Sequence, residues 1–111
     1  MRNVIWSPGI LNVIVQCFIN NKTPEETWQE IQSNANSNDL NRFKTHFSKK
    51  AKKKEVNEED LIVRRIKNEM NSAKQILPLG SDALNQWINN EGNARTYAWR
   101  RQKKKELLNE Q

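Results

Sequence analysis

The segment TPEE at residues 23–26 constrains the fold more than any other part of this sequence, because it carries two signals that start a helix. Threonine with glutamate three residues later forms a capping box, and proline is favoured at the first helical position. Trp28, Ile31 and Ala35 follow at helical spacing. The segment therefore predicts a short helix with one buried face.

Comparable signals predict a helix before this one. Ser7 followed by Pro8 is an N-cap with proline in the first turn. The apolar residues that follow share one helical face, and they are Ile10, Leu11, Ile14, Cys17 and Phe18. The β-branched run 13–15 leaves a strand as the alternative there.

A third helix is expected to begin near residue 38, with Ser37 or Asn38 as its cap. Its apolar residues recur every three or four positions, and they are Leu40, Phe43, Phe47 and Ala51. Residues 42–54 carry seven Lys and Arg side chains and no carboxylate. The side of the helical wheel opposite the apolar residues carries Asn41, Arg42, Thr45, His46, Lys49, Lys52 and Lys53.

This polar face is graded along the third helix. Hydrogen-bonding side chains lie toward its start, and lysines lie toward its end. Such a division suits a helix whose first turns meet base edges in the major groove while its tail neutralises phosphates. The seven residues of the face are therefore candidate DNA contacts.

Residues 6–54 resemble a Myb/SANT-type, homeodomain-like helix-turn-helix domain. The segment WSP (6–8) resembles the tryptophan that opens the first helix of that family, and TWQEI (27–31) resembles the tryptophan of its second helix. Phe47 occupies the place of the third aromatic residue. The resemblance implies three helices of which the third reads DNA, although SANT-like domains also bind acidic histone tails or partner subunits.

The second half of the chain, residues 57–111, repeats this theme loosely. Asn57 with Asp60 marks the start of a long helix, and the segment PLGS (78–81) ends it. The buried face of that helix is expected to carry Ile62, Ile66, Met70, Ala73 and Leu77. Ser81 is expected to cap a short segment that Gly92 breaks and that contains Leu84, Trp87 and Ile88.

A last basic helix is predicted over residues 93–108. It supplies a second set of candidate DNA contacts, which are Arg95, Arg100, Arg101, Lys103 and Lys104. The helical wheel places four apolar residues on one side, namely Ala94, Tyr97, Ala98 and Leu108. Trp99 points away among the cations, where it would stack on an unpaired base, contact a partner, or fold back onto the preceding long helix.

The signals together predict an all-α protein. A three-helix helix-turn-helix unit over residues 1–54 is followed by a helical extension over residues 57–111, made of a long helix and a second small helical unit. The extension is either a second three-helix unit or a long helix that packs on the first unit or on a partner.

The charge distribution indicates the class of partner. The 111 residues contain 19 Lys and Arg against 13 Asp and Glu, and two short stretches hold 13 of those cations. We therefore expect duplex DNA as the partner.

The predicted role is that of an accessory or adaptor subunit whose residues 57–111 hold a larger protein, such as a nucleic-acid-modifying enzyme. The small homeobox-like accessory subunits of ciliate DNA adenine methyltransferase complexes are one family of this kind. The alternatives are a SANT-like module that binds an acidic protein, and an RNA-binding protein.

Several other functions are not expected. One histidine and one cysteine are too few for the common zinc sites, and no glycine-rich phosphate loop is present, so we expect no enzyme activity, metal or cofactor. The longest apolar stretch, 10–19, falls short of the roughly 20 residues that cross a bilayer.

The single cysteine indicates an intracellular protein. The runs KKAKKK (49–54) and RRQKKK (100–105) resemble nuclear-import signals, so nuclear localisation is expected.

Overall fold

A computed structural model describes residues 5–109, which fold into α-helices joined by short connections, with no strand in that range. The helices are α1 (Pro8–Ile19), α2 (Pro24–Asn34), α3 (Ser37–Lys54), α4 (Glu58–Ile76), α5 (Ser81–Ile88) and α6 (Tyr97–Asn109). A 3₁₀ turn, Leu77–Leu79, continues α4. The all-α prediction is confirmed for these residues. The alternative strand at 13–15 is wrong, because α1 contains that run.

Three of the predicted N-caps are present. Thr23 Oγ1 accepts a hydrogen bond from the Glu26 amide at 3.1 Å, and Glu26 Oε1 accepts one from the Thr23 amide at 2.9 Å, which completes the capping box. The side chains of Ser7 and Asn57 accept hydrogen bonds from amides in the first turns of α1 and α4. These caps satisfy amides that have no partner within their own helix.

The caps of α3 and α5 and the start of α6 differ from the prediction. Asn36, and neither Ser37 nor Asn38, caps α3, since its side chain accepts hydrogen bonds from two amides of the first turn. Gly80, at φ 103°, precedes α5, so Ser81 is the first helical residue and not the cap. Residues 93–96 form turns, and α6 begins at Tyr97.

Three helices end in the same way. Asn21, Glu55 and Asn90 have positive φ angles of 59°, 55° and 56° after α1, α3 and α5. In each case the amide of the next residue donates to a carbonyl five residues earlier, at 2.9 to 3.0 Å. This arrangement is the Schellman motif, which reverses the chain in few residues. Asn90, rather than the expected Gly92, therefore ends α5.

The centre of the core is a cluster of four aromatic side chains. Trp6 meets Phe43 and Phe47 edge-on, with ring centroids 5.2 and 6.1 Å apart. Trp28, which was expected in the core, is buried with its ring centroid 5.6 Å from that of Phe43. Cys17 is also buried, as expected, and burial raises the pKa of its thiol. The cluster fixes α3 against α2 and against the residue that precedes the cap of α1.

The long helix α4 packs on the first three helices. Its inner face is buried against α1, α2 and α3, and it carries Leu61, Ile62, Ile66, Met70, Ala73 and Ile76. Thr27 Oγ1 of α2 lies 3.5 Å from Met70 Sδ. Of the arrangements left open by the sequence, the structure has the long helix on the first unit. One continuous core therefore runs from Trp6 to Trp99.

Candidate nucleic-acid interface

The inward packing of α3 decides which of its residues are open to solvent. Phe43, Phe47 and Ala51 are buried, and because they lie four residues apart they turn one side of the helix into the core. The opposite side is exposed. We call this exposed set the α3 face, and it consists of Asn41, Arg42, Thr45, Lys49, Lys52 and Lys53.

The cations of the α3 face are almost free of internal partners. Within residues 5–109, Arg42 is the one member in an ion pair, with its Nη1 atom 3.7 Å from Asp39 Oδ1. An exposed pair of this kind contributes at most about 1 kcal/mol, so a phosphate or a base can compete for the guanidinium. Lys52 and Lys53 lie in the last turn, where the helix dipole favours positive charge. The face can therefore bind anions with the loss of only one weak ion pair, that between Arg42 and Asp39.

The α3 face has dimensions that suit a DNA groove. Residues 42 to 53 span roughly 16 Å along the helix axis at about 1.5 Å per residue. The major groove is about 12 Å wide, so a helix of this length can place its first turns near bases and its last turn near the backbone. Only Ala35 and Asn36 separate α2 from α3, so the connection between the two helices is short.

His46 differs from the rest of the predicted polar face because it is half-buried. Its ring meets Phe47 edge-on, with centroids 5.0 Å apart. Burial, and then the positive charges of Lys50 and Arg65, lower the pKa of His46 below its usual value of 6.5. The imidazole is therefore neutral near pH 7. It remains a predicted contact at the edge of the α3 face, as a neutral hydrogen-bonding group near pH 7 and as a cation once the ring is protonated at lower pH.

The structure adds two cations that the sequence did not assign to the polar face of the third helix. Arg65 of α4 is half-buried and close enough to His46 to affect its pKa, and Lys50 lies one turn after His46. Together they extend the positive surface from α3 onto α4. The wheel of α4 predicts which of its residues are buried, but no sequence signal shows that Arg65 faces α3.

Arg95, from the second set of predicted contacts, is used inside the protein. Its two terminal nitrogens donate to the two carboxylate oxygens of Glu69, at 2.6 and 2.8 Å. The guanidinium also lies 4.9 Å from the ring centroid of Trp87. Glu69 is nearly buried, so this arginine balances a charge that would otherwise be costly. The geometry favours a structural role for Arg95.

Trp99, Arg100 and Lys103 also turn toward the protein. Trp99 is 8% exposed, so its ring is buried and forms part of the core. Arg100 donates to Gln75 Oε1 at 2.6 Å and to Ser72 Oγ at 3.3 Å. Lys103 lies over the Trp99 ring and pairs with Glu106. These contacts occupy two further cations of the second set.

The outward side of α6 corrects the helical wheel. Tyr97, Ala98 and Leu108 were grouped as its apolar side, yet all three are exposed. The larger Trp99 takes the inner side instead, and Ala94 is buried in the turn before the helix. Arg101 and Lys104 are the predicted contacts of this half that remain exposed.

The part of the chain that the structure describes contains neither a cluster of metal-binding side chains nor a membrane-spanning helix. Over residues 5–109, no three His, Cys, Asp or Glu side chains are grouped to hold a metal ion. No helix in that range is long and apolar enough to cross a membrane. Comparison with protein-family models, with curated proteins and with solved structures found no match.

Proposed function

We propose that the protein binds duplex DNA through the α3 face and acts as an accessory or adaptor subunit that brings a partner to DNA. One observation carries the proposal: a row of exposed cations and hydrogen-bonding groups stands on a helix that four packed aromatic rings hold in place. A rigid surface loses little conformational entropy on binding. The helix-turn-helix resemblance of residues 6–54 supports the same mode of binding.

The α3 face divides into two kinds of contact in this proposal. Asn41, Arg42 and Thr45 enter the major groove, where an arginine can donate two hydrogen bonds to a guanine. Lys49, Lys52 and Lys53 neutralise phosphates, which fixes the orientation of the helix on the duplex.

The central test is a binding titration in which salt is varied. Duplex DNA, single-stranded DNA and RNA of equal length are compared by fluorescence anisotropy from about 50 to 200 mM salt, the range over which phosphate contacts weaken strongly. The three lysines of the α3 face predict a log–log slope of roughly −3 for the duplex, at about −0.9 per phosphate. We expect the duplex to bind most tightly.

A matched pair of variants locates the contact surface. Lys49→Gln/Lys52→Gln/Lys53→Gln removes three cations from α3, and Arg64→Gln/Lys67→Gln/Lys74→Gln removes three exposed cations from α4. Both variants have the same net charge. The α3 variant should lower the slope by about three units, whereas the α4 variant should leave it nearly unchanged. Equal effects would show that binding follows net charge alone.

The alternatives give different results in the same titration. An RNA-binding protein would prefer RNA or single strands at every salt concentration. A module for an acidic protein would bind all three nucleic acids weakly, with no preference for the duplex. The nuclear localisation that we propose can be followed with a fluorescent fusion. Because KKAKKK (49–54) and RRQKKK (100–105) both resemble import signals, nuclear accumulation should be lost only when the lysines of both runs are replaced.

A further inference from the structure

A groove runs along α6 where that helix meets the end of α4 and the 3₁₀ turn. A hollow of about 400 Å³ on one side is lined mainly by apolar side chains, including Pro78, Leu79, Leu107 and Leu108. A second hollow of about 270 Å³ adjoins it and reaches Tyr97 and Arg101. Both hollows share Gln75, Arg100, Lys104 and Leu108. We call the two hollows together the α6 groove.

The outer edge of the α6 groove is apolar at both ends. Tyr97 is 67% exposed and Leu108 is 60% exposed, which makes them the most exposed large apolar side chains of residues 5–109. They are separated by three helical turns, or roughly 16 Å, and they lie on the same face. Apolar surface of this kind on a soluble domain marks a contact site when it is rimmed by polar groups.

The centre of the same edge is positive. Arg101 and Lys104 lie between Tyr97 and Leu108 on one helical stripe, and within the described residues neither is in an ion pair. Arg100 lies on the side of α6 that turns toward the protein, and its Nε atom is buried without a hydrogen-bond partner in that range. The stripe thus presents an apolar residue, two cations and a second apolar residue in order.

This order favours a protein helix over a nucleic acid. Phosphates would pair with the cations, but they would leave the two apolar ends and the 400 Å³ hollow without a matching surface. An amphipathic helix can place apolar side chains at both ends of the stripe and carboxylates between them. Helices bind to grooves in this way through apolar anchors that repeat every three or four residues.

We propose that the α6 groove docks an acidic amphipathic helix of a partner protein. A bulky apolar side chain of that helix fills the hollow beside Leu79 and Leu107, and its carboxylates face Arg101 and Lys104. This inference rests on the adaptor part of the proposed function and names the surface and the chemistry of its partner. DNA binding by the α3 face does not depend on it.

The test begins with selection from a library of random 18-residue peptides displayed on phage, with the full chain as bait. The affinities of the selected peptides are then measured by fluorescence anisotropy, both for the unchanged protein and for the groove variant Tyr97→Ser/Leu108→Ser. The control is Ile19→Ser/Val56→Ser, which removes exposed apolar side chains outside the α6 groove. Because all four residues are exposed, both variants should keep the fold.

The expected peptides are rich in Glu, Asp and Leu, and they become helical on binding. The groove variant should weaken them at least about tenfold, as for the loss of central apolar anchors, and the control variant should not. Arg101→Gln/Lys104→Gln should weaken them as well and reduce their salt dependence. Basic peptides, or peptides that bind the groove variant equally well, would overturn the proposal.

Two further measurements separate this inference from DNA binding and from self-association. The α3 lysine variant should lose duplex binding but keep peptide binding, and the groove variant should do the reverse. If the groove variant loses the duplex as strongly as the peptide, the α6 groove belongs to the DNA surface and the proposal fails. It also fails if the free protein sediments as a dimer that Leu108→Ser converts to a monomer.

Discussion

The two lysine-rich helices, α3 and α6, have similar compositions but opposite relations to the core. On α3 the aromatic residues face inward and the cations face outward, nearly without internal partners. On α6 the cations Arg100 and Lys103 turn inward with Trp99, while Tyr97 and Leu108 face solvent. A charge run therefore indicates a binding surface only when the apolar residues between the charges hold that surface outward.

The spacing of aromatic residues explains the difference. Phe43 and Phe47 lie one turn apart and pack with ring centroids 4.7 Å from each other, so they orient α3 strongly. Trp99 is the one aromatic residue that α6 buries, and the helix packs mainly on the 3₁₀ turn. The orientation of α6 is thus set by partners on other helices rather than by its own periodicity.

The largest expected effect is the loss of folding stability when a buried aromatic side chain of α3 or of α6 is removed. Phe43→Ala should lower the free energy of unfolding by about 3 to 5 kcal/mol, because it empties a fully enclosed site. Trp99→Ala should cost less than about 3 kcal/mol, since one side of its ring is covered by the flexible Lys103 side chain. Urea unfolding measures both. Amide exchange should show α6 opening alone in the Trp99 variant, and equal losses would mean that α6 is as strongly packed as α3.

The next largest effect on stability is expected from the ion pair between Arg95 and Glu69. Arg95→Met should cost about 1 to 3 kcal/mol, because it leaves the Glu69 carboxylate buried without its partner. The double variant Glu69→Met/Arg95→Met should recover much of that loss, since two apolar side chains carry no desolvation cost. Arg101→Met is the control, and it should leave stability unchanged because Arg101 is exposed. If Arg95→Met is also neutral, Arg95 is free to serve as a DNA contact.

The sequence predicts some of these features well and others not at all. The capping box at residues 23–26 and the face of Phe43 and Phe47 follow from local rules, because the residues that decide them are neighbours in the chain. The pairing of Arg95 with Glu69 joins positions 26 residues apart. Periodicity shows which residues share a face, but it does not show which faces meet. For this reason the α3 face was predictable and the inner side of α6 was not.

A third prediction separates base contact from phosphate contact. Arg42→Ala should reduce discrimination between duplex sequences by about 1 to 3 kcal/mol if its guanidinium binds a guanine. Lys53→Ala should weaken all duplexes alike and lower the salt slope by about one unit. Competition binding on a random-sequence library measures both effects. If Arg101→Ala removes the sequence preference while Arg42→Ala leaves it intact, α6 and not α3 reads the bases.

A smaller effect is expected at the end of α3. Glu55 has a φ of 55°, a conformation that costs most residues energy but that glycine adopts freely. Glu55→Gly should therefore raise the free energy of unfolding by roughly 0.5 to 1 kcal/mol. Glu55→Gln tests the contribution of its negative charge near the helix C-terminus. No gain from glycine would mean that the Schellman motif after Lys54 is not strained.

The smallest expected effect is the pH dependence caused by His46, the only histidine in the chain. Burial, Lys50 and Arg65 lower its pKa in the folded state, so the unfolded chain binds the proton more readily. Its contribution to stability is therefore complete above the usual pKa of about 6.5 and is lost as the pH falls through the lower folded value. Urea unfolding from pH 7.5 to 5.5 should show this fall in the wild type and a weaker one in His46→Gln.

DNA should act in the opposite direction, because a phosphate near His46 favours the charged ring. Duplex affinity should then rise as the pH falls, and it should not rise in His46→Gln. A wild-type duplex affinity that does not change with pH would place His46 outside the interface. The DNA contacts of α3 would then come from the six exposed residues of the α3 face alone.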